Sequence, residues 1–248
     1  MKINCLKTSL LLISCGLILH ACKTTKRIEI HRTESMKKNL VLQKFPCFGQ
    51  CQEYKISSYD DGILILEGKN NVEKKGVYFT QINAVQLSSL KNKAASIKWT
   101  DYKNSYFKNI PDLPFTELSY YDAEGHLVKS IKSNATLPSE LENLQKELSQ
   151  FIRLPNWTQI LRKDEMNNPD ILLSELQVDM DSLLTPEKLE MQFDSLHLKR
   201  ISRISPYMNF WLFTYDQAKI EPYEILILLR RVPGIRLVLF NKKLNPRE

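Results

Sequence analysis

The sequence predicts a protein of the α+β class, with an antiparallel sheet that carries helices on one side, followed by a small ferredoxin-like domain of βαββαβ order. Short alternating runs of apolar and polar residues flank Asp61-Gly62 and Glu124-Gly125, a pattern typical of β-hairpins. Apolar residues recur at helical spacing in the segments between these runs. The pattern starts again after a polar stretch at residues 162–170, which indicates a second folding unit.

The first half contains seven predicted elements. They are strands at residues 52–58, 63–66 and 76–80, an amphipathic helix at 81–97, strands at 115–121 and 126–132, and a helix from Pro138 to Ile152. This order implies an antiparallel sheet with helices on one side.

The second half contains six predicted elements. A half-buried strand ends at Met180, and a helix follows with Thr185 as its N-cap and Pro186 at its first position. The others are strands at residues 197–205 and 208–215, a helix from Pro222 to Val232 and a final strand at 235–240. This order is the split βαβ, ferredoxin-like plan.

Residues 1–21 are predicted to be a lipoprotein signal peptide. Lys2 and Lys7 precede an apolar run that is shorter than the roughly 20 residues needed to span a bilayer. The run ends in Leu19-His20-Ala21-Cys22, which resembles a bacterial lipobox and implies cleavage before Cys22 and diacylation of its thiol. The alternative is an ordinary secreted protein with an incidental cysteine. The expected location is the cell envelope, with the protein anchored to a bacterial membrane through lipid and facing the periplasm from the outer membrane.

The positive charge of the chain is confined to its N-terminal part. The chain carries a net charge of +7, and residues 1–44 hold nine Lys and Arg against two Glu, so residues 45–248 are neutral. A neutral body lacks the basic face that nucleic-acid binding requires. Residues 22–44 are predicted to be a basic tether, either a soluble linker, which is the favoured interpretation, or a segment lying on anionic headgroups.

Cys47 and Cys51 are the only cysteines expected in the mature body, because Cys5 and Cys15 leave with the signal peptide and Cys22 takes lipid. In an oxidising compartment, a pair this close in sequence is predicted to form a disulfide that fixes the backbone where a strand begins. Free thiols and a redox or metal centre are the alternatives. Zinc normally takes four ligands, so no metal or other cofactor is expected.

A family resemblance is carried by the segment Phe45-Pro46-Cys47-Phe48-Gly49-Gln50-Cys51-Gln52-Glu53-Tyr54. It resembles the Cys-Phe-Gly-x-Cys-Pro-x-Tyr signature of an uncharacterised domain of Gram-negative bacterial lipoproteins, with Gln52 where that family often has proline. The resemblance covers about residues 40–153 and implies an envelope location but no chemistry. We therefore expect a first domain at residues 45–156, a linker at 157–169 and a second domain at 170–248.

Residues 99–114 are a candidate binding loop, because a loop of this length without structure of its own is often functional. Tyr102, Tyr106, Phe107 and Asp112 supply its side chains. In the alternative interpretation, which we favour, these aromatic residues cover the edge of the sheet.

The last segment is similar to the end of the propeptides of subtilisin-like serine proteases. The similarity rests on a helix, then Val232-Pro233-Gly234-Ile235 leading into an apolar strand, then Asn241 and Arg247, within residues 170–248. It implies a ferredoxin-like inhibitor or folding chaperone whose C-terminal tail lies in the protease cleft, with Leu244 as an apolar anchor and Glu248 as the product-like residue. Pro246 lacks a backbone N–H and forfeits one hydrogen bond to such a cleft.

The sequence does not predict an enzyme. The two histidines of the body, His126 and His197, do not lie beside a patterned serine or cysteine, and phosphate-binding glycine loops are missing. Two functions from different classes remain. The leading hypothesis is a lipid-anchored envelope protein that binds or scaffolds another envelope protein without catalysis. The alternative is an inhibitor or folding chaperone of a subtilisin-like protease.

Overall fold

A computed structural model of the 248-residue chain describes residues 36–109 and 112–243. The predicted signal peptide at residues 1–21, the lipidation site Cys22, and the tail residues Leu244 and Glu248 lie outside the described residues.

The first part of the described chain forms an eight-stranded sheet with two helices. Its elements are β1 (Lys38–Lys44), β2 (Glu53–Tyr59), β3 (Ile63–Asn70), β4 (Gly76–Gln81), α1 (Ala84–Ser96), β5 (Ser105–Tyr106), β6 (Thr116–Tyr121), β7 (Leu127–Ser133), α2 (Ser139–Phe151) and β8 (Thr158–Arg162). The sheet order is β5-β7-β6-β1-β2-β3-β4-β8. Every neighbouring pair is antiparallel except β5 and β7, which are parallel.

The two helices cover one face of this sheet. An Asn83–Gln86 capping box begins α1, in which each side chain accepts a hydrogen bond from the other residue's backbone N–H. Helix α2 buries Leu141, Leu144 and Leu148, which share one stripe at helical spacing. This stripe packs in one core with the inward side chains of the central strands. The predicted antiparallel sheet with helices on one side is confirmed.

The second part forms a four-stranded antiparallel sheet with two helices. Its elements are β9 (Ile171–Met180), α3 (Pro186–Gln192), β10 (Lys199–Ser205), β11 (Phe210–Thr214), α4 (Pro222–Arg230) and β12 (Ile235–Lys242). The sheet order β10-β11-β9-β12 is the ferredoxin-like arrangement, in which each βαβ unit leaves room for one strand between its own two. The α+β class and the βαββαβ order are therefore confirmed.

Helix α4 lies between the two sheets. Six consecutive residues, 224–229, are buried, which is expected of a helix that is enclosed on all sides. Its apolar side chains share one core with inward residues of β9 and β12 and, on the other side, with Tyr59, Ile63 and Ile65 of the first sheet. The described chain therefore has four layers, which are the α1–α2 pair, the eight-stranded sheet, α4 and the four-stranded sheet.

A polar network crosses this buried junction. The Tyr59 hydroxyl donates a 2.8 Å hydrogen bond to Glu224 Oε1, and Lys38 Nζ lies 3.3 Å from the same oxygen. Lys38 also pairs with Glu221 at the start of α4. A buried carboxylate needs such partners, because leaving it unpaired costs several kcal/mol, on the order of 3–5.

Burial and pairing shift the pKa values of this network in different directions. Burial raises the pKa of Glu224, although Lys38 acts in the opposite direction. Burial lowers the pKa of Lys38, but attraction to Glu224 and Glu221 outweighs it, so the net pKa is raised. Burial, with the neighbouring carboxylates, raises the pKa of Tyr59 well above its ordinary value.

Two predicted segment boundaries are wrong. The basic tether predicted at residues 22–44 includes β1, which lies at the centre of the first sheet with Leu40 and Leu42 fully buried. Because lysines lie at both ends of this strand, its charge did not distinguish it from the basic segment that precedes it. The linker predicted at 157–169 includes β8, which pairs with β4.

The raised pKa of Glu224 predicts a specific pH dependence of stability. A carboxyl that binds its proton more tightly in the folded state than in the unfolded chain stabilises the fold at low pH, and this contribution is lost as pH rises through the folded pKa. The variant Glu224→Gln has no such group. We expect the unfolding free energy of the wild type, relative to that of Glu224→Gln, to fall as pH rises above about 4.5.

Urea unfolding of both proteins at several pH values between 4 and 8 measures this difference. Glu221 is present in both proteins, so its own titration largely cancels. A relative stability of the wild type that stays constant or rises over this range contradicts the assignment.

Candidate binding surface at the disulfide loop

The loop between β1 and β2 is closed by Cys47 and Cys51, the two cysteines among the described residues. The Sγ atoms of Cys47 and Cys51 lie 1.88 Å apart, so the predicted pair is present at disulfide distance. Gly49 has φ of +147°, a conformation that favours glycine, and its N–H donates to the Cys47 carbonyl at 2.9 Å. Strand β2 begins two residues after Cys51, so the pair fixes the backbone where the strand begins.

This loop holds a phenylalanine in solvent. The Phe48 side chain is 93% exposed, although burying a phenylalanine is worth about 1.5–3 kcal/mol. The loop at residues 45–52 contains no charged side chain. Asn71, in the turn after β3, donates a hydrogen bond to the Cys51 carbonyl at 2.9 Å. This bond joins the end of the disulfide loop to the turn after β3. A constrained backbone therefore presents an apolar group that the fold itself does not use.

Three more phenylalanines form a row beside this loop, which we call the phenylalanine row (Phe45, Phe107 and Phe115). Lys44, at the end of β1, pairs with Thr116, at the start of β6. Phe45 follows Lys44 and Phe115 precedes Thr116, so these two phenylalanines meet at this end of the sheet. The Phe45 N–H donates to the Phe115 carbonyl at 3.0 Å, and the two rings stack with centroids 4.0 Å apart. Phe107 meets the Phe115 ring edge-on at 6.4 Å and is 55% exposed.

The candidate loop at residues 99–114 contributes only part of its predicted side chains to this row. Tyr102 donates to Glu140 at 2.6 Å, and this hydrogen bond raises its pKa. Tyr106 lies in β5, where its hydroxyl accepts from the Lys103 N–H at 3.3 Å. Both tyrosines are partly buried against the first core. Asp112 is exposed with φ of +58°, and Phe107 alone joins the row.

The segment is also less irregular than predicted. Its described residues include a 3₁₀ turn at Trp99–Asp101 and the short edge strand β5, which pairs with β7. The Trp99 ring stacks on Tyr120 at 4.8 Å, which holds the start of the segment against the sheet. The exposed Phe107 therefore extends from an ordered support.

The lysine that precedes Phe45 contacts a tyrosine ring of the neighbouring strand β2. Lys44 Nζ is 5.4 Å from the centre of the Tyr54 ring, and burial lowers the pKa of this lysine. Burial also raises the pKa of Tyr54, whose hydroxyl shares a hydrogen bond with Ser149 of α2. These contacts join the end of β1 to β2 and, through Tyr54, to α2.

The arrangement is suited to contact with an apolar partner. Aromatic side chains on a constrained support are typical of the residues that dominate protein interfaces. Within residues 36–109 and 112–243, no group of three or more His, Cys, Asp or Glu side chains is placed to hold a metal ion. His126 and His197 are exposed and lie 3.4 Å from Asp122 and Asp216, respectively.

Sequence reasoning missed three members of this surface, Phe45, Phe48 and Phe115. Phe45 and Phe48 flank Cys47, and Phe115 follows the proline that ends the candidate loop, so the residues themselves were visible. The pairing of β1 with β6 is what brings them together, and the predicted tether hid β1.

Comparisons with known proteins assign no activity to this surface. A family model described as a domain of unknown function (DUF6438) matches residues 38–152. The matched segment begins at β1 and ends just after α2, so it includes the disulfide loop and the phenylalanine row but neither β8 nor the four-stranded sheet. Neither the curated proteins nor the solved structures gave a match. No helix among the described residues is long and apolar enough to cross a membrane.

The small disulfide loop predicts a modest effect on stability. Closing a loop of this size removes chain entropy worth about 2 kcal/mol. We expect the double variant Cys47→Ser/Cys51→Ser to fold and to lose about this much unfolding free energy in urea. A reductant should cause a similar loss in the wild type and none in the variant. A variant that fails to fold, or one whose stability is unchanged, contradicts this role.

Proposed function

We propose that the protein is a lipid-anchored component of the bacterial cell envelope that binds another envelope protein without catalysis. The binding site in this proposal is the phenylalanine row together with Phe48. The observation that carries it is the 93% exposure of Phe48 on a loop held by the Cys47–Cys51 pair. A partner that buries this ring gains apolar contact while losing little conformational entropy, because the loop is already ordered.

The anchoring part of the proposal rests on the sequence. An apolar run that ends in Leu19-His20-Ala21-Cys22 favours lipidation of Cys22. A cysteine pair at disulfide distance fits the oxidising periplasm. The outer membrane, with the protein on its periplasmic face, is the proposed location.

The entry point of the chain also fits an anchored binding protein. The described chain enters β1 near the Asp60 and Gly125 turns, since Lys37 contacts both. Phe45 follows the other end of β1, about 24 Å away for seven residues at about 3.4 Å each. An anchor that precedes β1 would therefore leave the phenylalanine row and Phe48 at the far end of the sheet, where a partner could reach them.

The ferredoxin-like topology favours a second candidate function, inhibition or chaperoning of a subtilisin-like protease. Leu244 and Glu248, the residues that this function would place in the protease cleft, follow β12 in the sequence. Such a tail binds as an added strand, so main-chain hydrogen bonds supply most of its affinity.

The protease hypothesis is tested with the full chain and with a chain that lacks residues 243–248. This function requires inhibition of a subtilisin-like protease by the full chain and its loss on truncation. Absence of inhibition by both proteins at tens of micromolar, about 6 kcal/mol of binding free energy, rules out the inhibitor function and leaves the non-catalytic binding protein as the better-supported proposal.

The leading proposal predicts that Phe48 and Phe107 are needed for partner capture. Cells expressing the wild type, the variant Phe48→Ser/Phe107→Ser or the control Leu127→Ser are treated with a crosslinker, and the protein is purified through an affinity tag. Leu127 is a suitable control because it is 57% exposed on the same sheet. We expect one envelope protein to be recovered with the wild type and the control, and at least tenfold less of it with the double variant. Equal recovery with all three proteins contradicts the proposed surface.

Lipidation is tested separately. We expect metabolic labelling with a fatty-acid analogue to mark the wild type and not Cys22→Ala, which should leave the membrane fraction. Label and membrane association that persist in Cys22→Ala contradict the anchoring proposal but leave the binding surface untouched.

A further inference from the structure

One end of the molecule carries both the start of β1 and the end of α4. The carbonyl of Lys37, the residue before β1, accepts a hydrogen bond from the Asp60 N–H at 2.9 Å. Asp61, the next residue of that turn, pairs with Arg231, which follows α4. We call this the entry end, because the described chain enters the sheet here.

Two turns of the four-stranded sheet lie at the entry end. The Gly234 carbonyl, in the turn between α4 and β12, accepts from the Asp181 N–H at 2.8 Å, so the loop after β9 lies beside that turn. Asn209, in the turn between β10 and β11, donates to the carbonyls of Asp181 and Leu184 at 2.7 and 2.9 Å. The loop after β9 and the β10–β11 turn are therefore held together.

These two turns present apolar and tyrosine side chains to solvent. Tyr207 and Met208 of the β10–β11 turn are 95% and 47% exposed, and Leu183 of the loop after β9 is 59% exposed. We call these three side chains the entry-end cluster. Surface turns ordinarily carry Gly, Pro, Asn, Asp and Ser. A partner that takes the cluster out of water gains apolar free energy that the fold leaves unused.

Two cationic side chains lie beside the entry-end cluster. Lys188 Nζ donates to the Leu183 carbonyl and Arg203 Nε to the Met208 carbonyl, each at 3.2 Å. Neither forms a salt bridge with a carboxylate of residues 36–109 and 112–243. The nearby carboxylate of Asp181 already accepts from the Leu183 N–H at 2.9 Å. Tyrosine and apolar side chains flanked by Lys and Arg are typical of surfaces that lie in the headgroup region of a bilayer.

We propose that the entry-end cluster docks on the phospholipid surface of the membrane that holds the lipid anchor. This inference rests on the proposed lipidation of Cys22. Met36 follows Cys22 by 14 positions, so at most about 50 Å of chain separates them in any conformation. The anchor is thus attached at the entry end, whereas the disulfide loop lies at the other end of β1.

The turns of the first sheet at the entry end are less suited to this contact. They contain Asp60, Asp61, Asp122 and Glu124. Anionic headgroups attract Lys and Arg and repel carboxylates. The contact therefore falls on the turns of the four-stranded sheet.

The test uses the lipidated full-length chain, purified from membranes and reconstituted in vesicles of phosphatidylethanolamine and phosphatidylglycerol. The vesicles contain a photoactivatable phospholipid with its reactive group in the acyl chain, and mass spectrometry after digestion locates the lipid adducts. The docking variant is Tyr207→Ser/Met208→Ser. The control variant Ile201→Ser/Leu239→Ser removes two exposed apolar side chains from β10 and β12 of the same sheet.

We expect adducts on the peptides that contain Leu183 and Tyr207 in the wild type and the control, and at least fivefold fewer on the peptide that contains Phe48. In the docking variant, the Leu183 peptide, whose sequence is unchanged, should carry at least fivefold fewer adducts than in the wild type.

Three results overturn the docking proposal while the protein still floats with the vesicles, which leaves the anchor intact. They are equal labelling of the Phe48 and Tyr207 peptides, unchanged labelling of the Leu183 peptide in the docking variant, and no adducts at the entry end. The last is also the result expected if the entry-end cluster binds a protein instead of lipid. A wild type that carries no lipid and does not float overturns the anchor and the docking proposal together.

Discussion

The burial of α4 between two sheets is the constraint on which the rest of the structure depends. The four-stranded sheet alone cannot bury six consecutive residues of α4, because it covers only one side of the helix. The eight-stranded sheet supplies the second side through Tyr59, Ile63 and Ile65. The Lys38–Glu224–Tyr59 network then fixes how the helix lies on that sheet, since a carboxylate buried there must keep its partners.

This junction leaves the outer surfaces free for binding. Helix α4 packs on part of the sheet face that α1 and α2 do not cover. The exposed apolar groups include Phe48 and Phe107 at one end of the first sheet and Leu237 and Leu239 on the second sheet. At the sheet end, the register of β1 with β6 brings the phenylalanine row beside the disulfide loop. On the four-stranded sheet, the strand alternation that buries Val178 and Val238 on one face places Leu237 and Leu239 on the opposite face.

Local signals in the sequence predict most of the elements but not how they pack. The turns at Gly62 and Gly125 have φ of +87° and +88°, and the hairpins predicted there are present. Strand β8 was missed because its partner β4 is distant in sequence and the pairing energy is not a property of the strand itself. Strand β1 was missed because the lysines at its ends resemble those of the basic segment before it. The run Ile225-Leu226-Ile227-Leu228-Leu229 carried an unused signal, since a helix that is apolar all round is buried on all sides. In the candidate site, the disulfide pair and Phe107 were predictable, whereas the meeting of Phe45 with Phe115 required the strand register.

Hydrogen exchange measured by mass spectrometry across a urea series tests the central claim, that α4 unites the two sheets in one cooperative unit. The peptides to compare come from the full-length chain: one group covers the strands β2 and β3, a second covers helix α4, and a third covers the strands β9 to β12 without α4. If the junction is as described, all three lose protection at the same urea concentration, because unfolding either sheet uncovers the helix. Loss of protection in β9–β12 and α4 at a clearly lower urea concentration than in β2–β3 would contradict the account and show two independent domains.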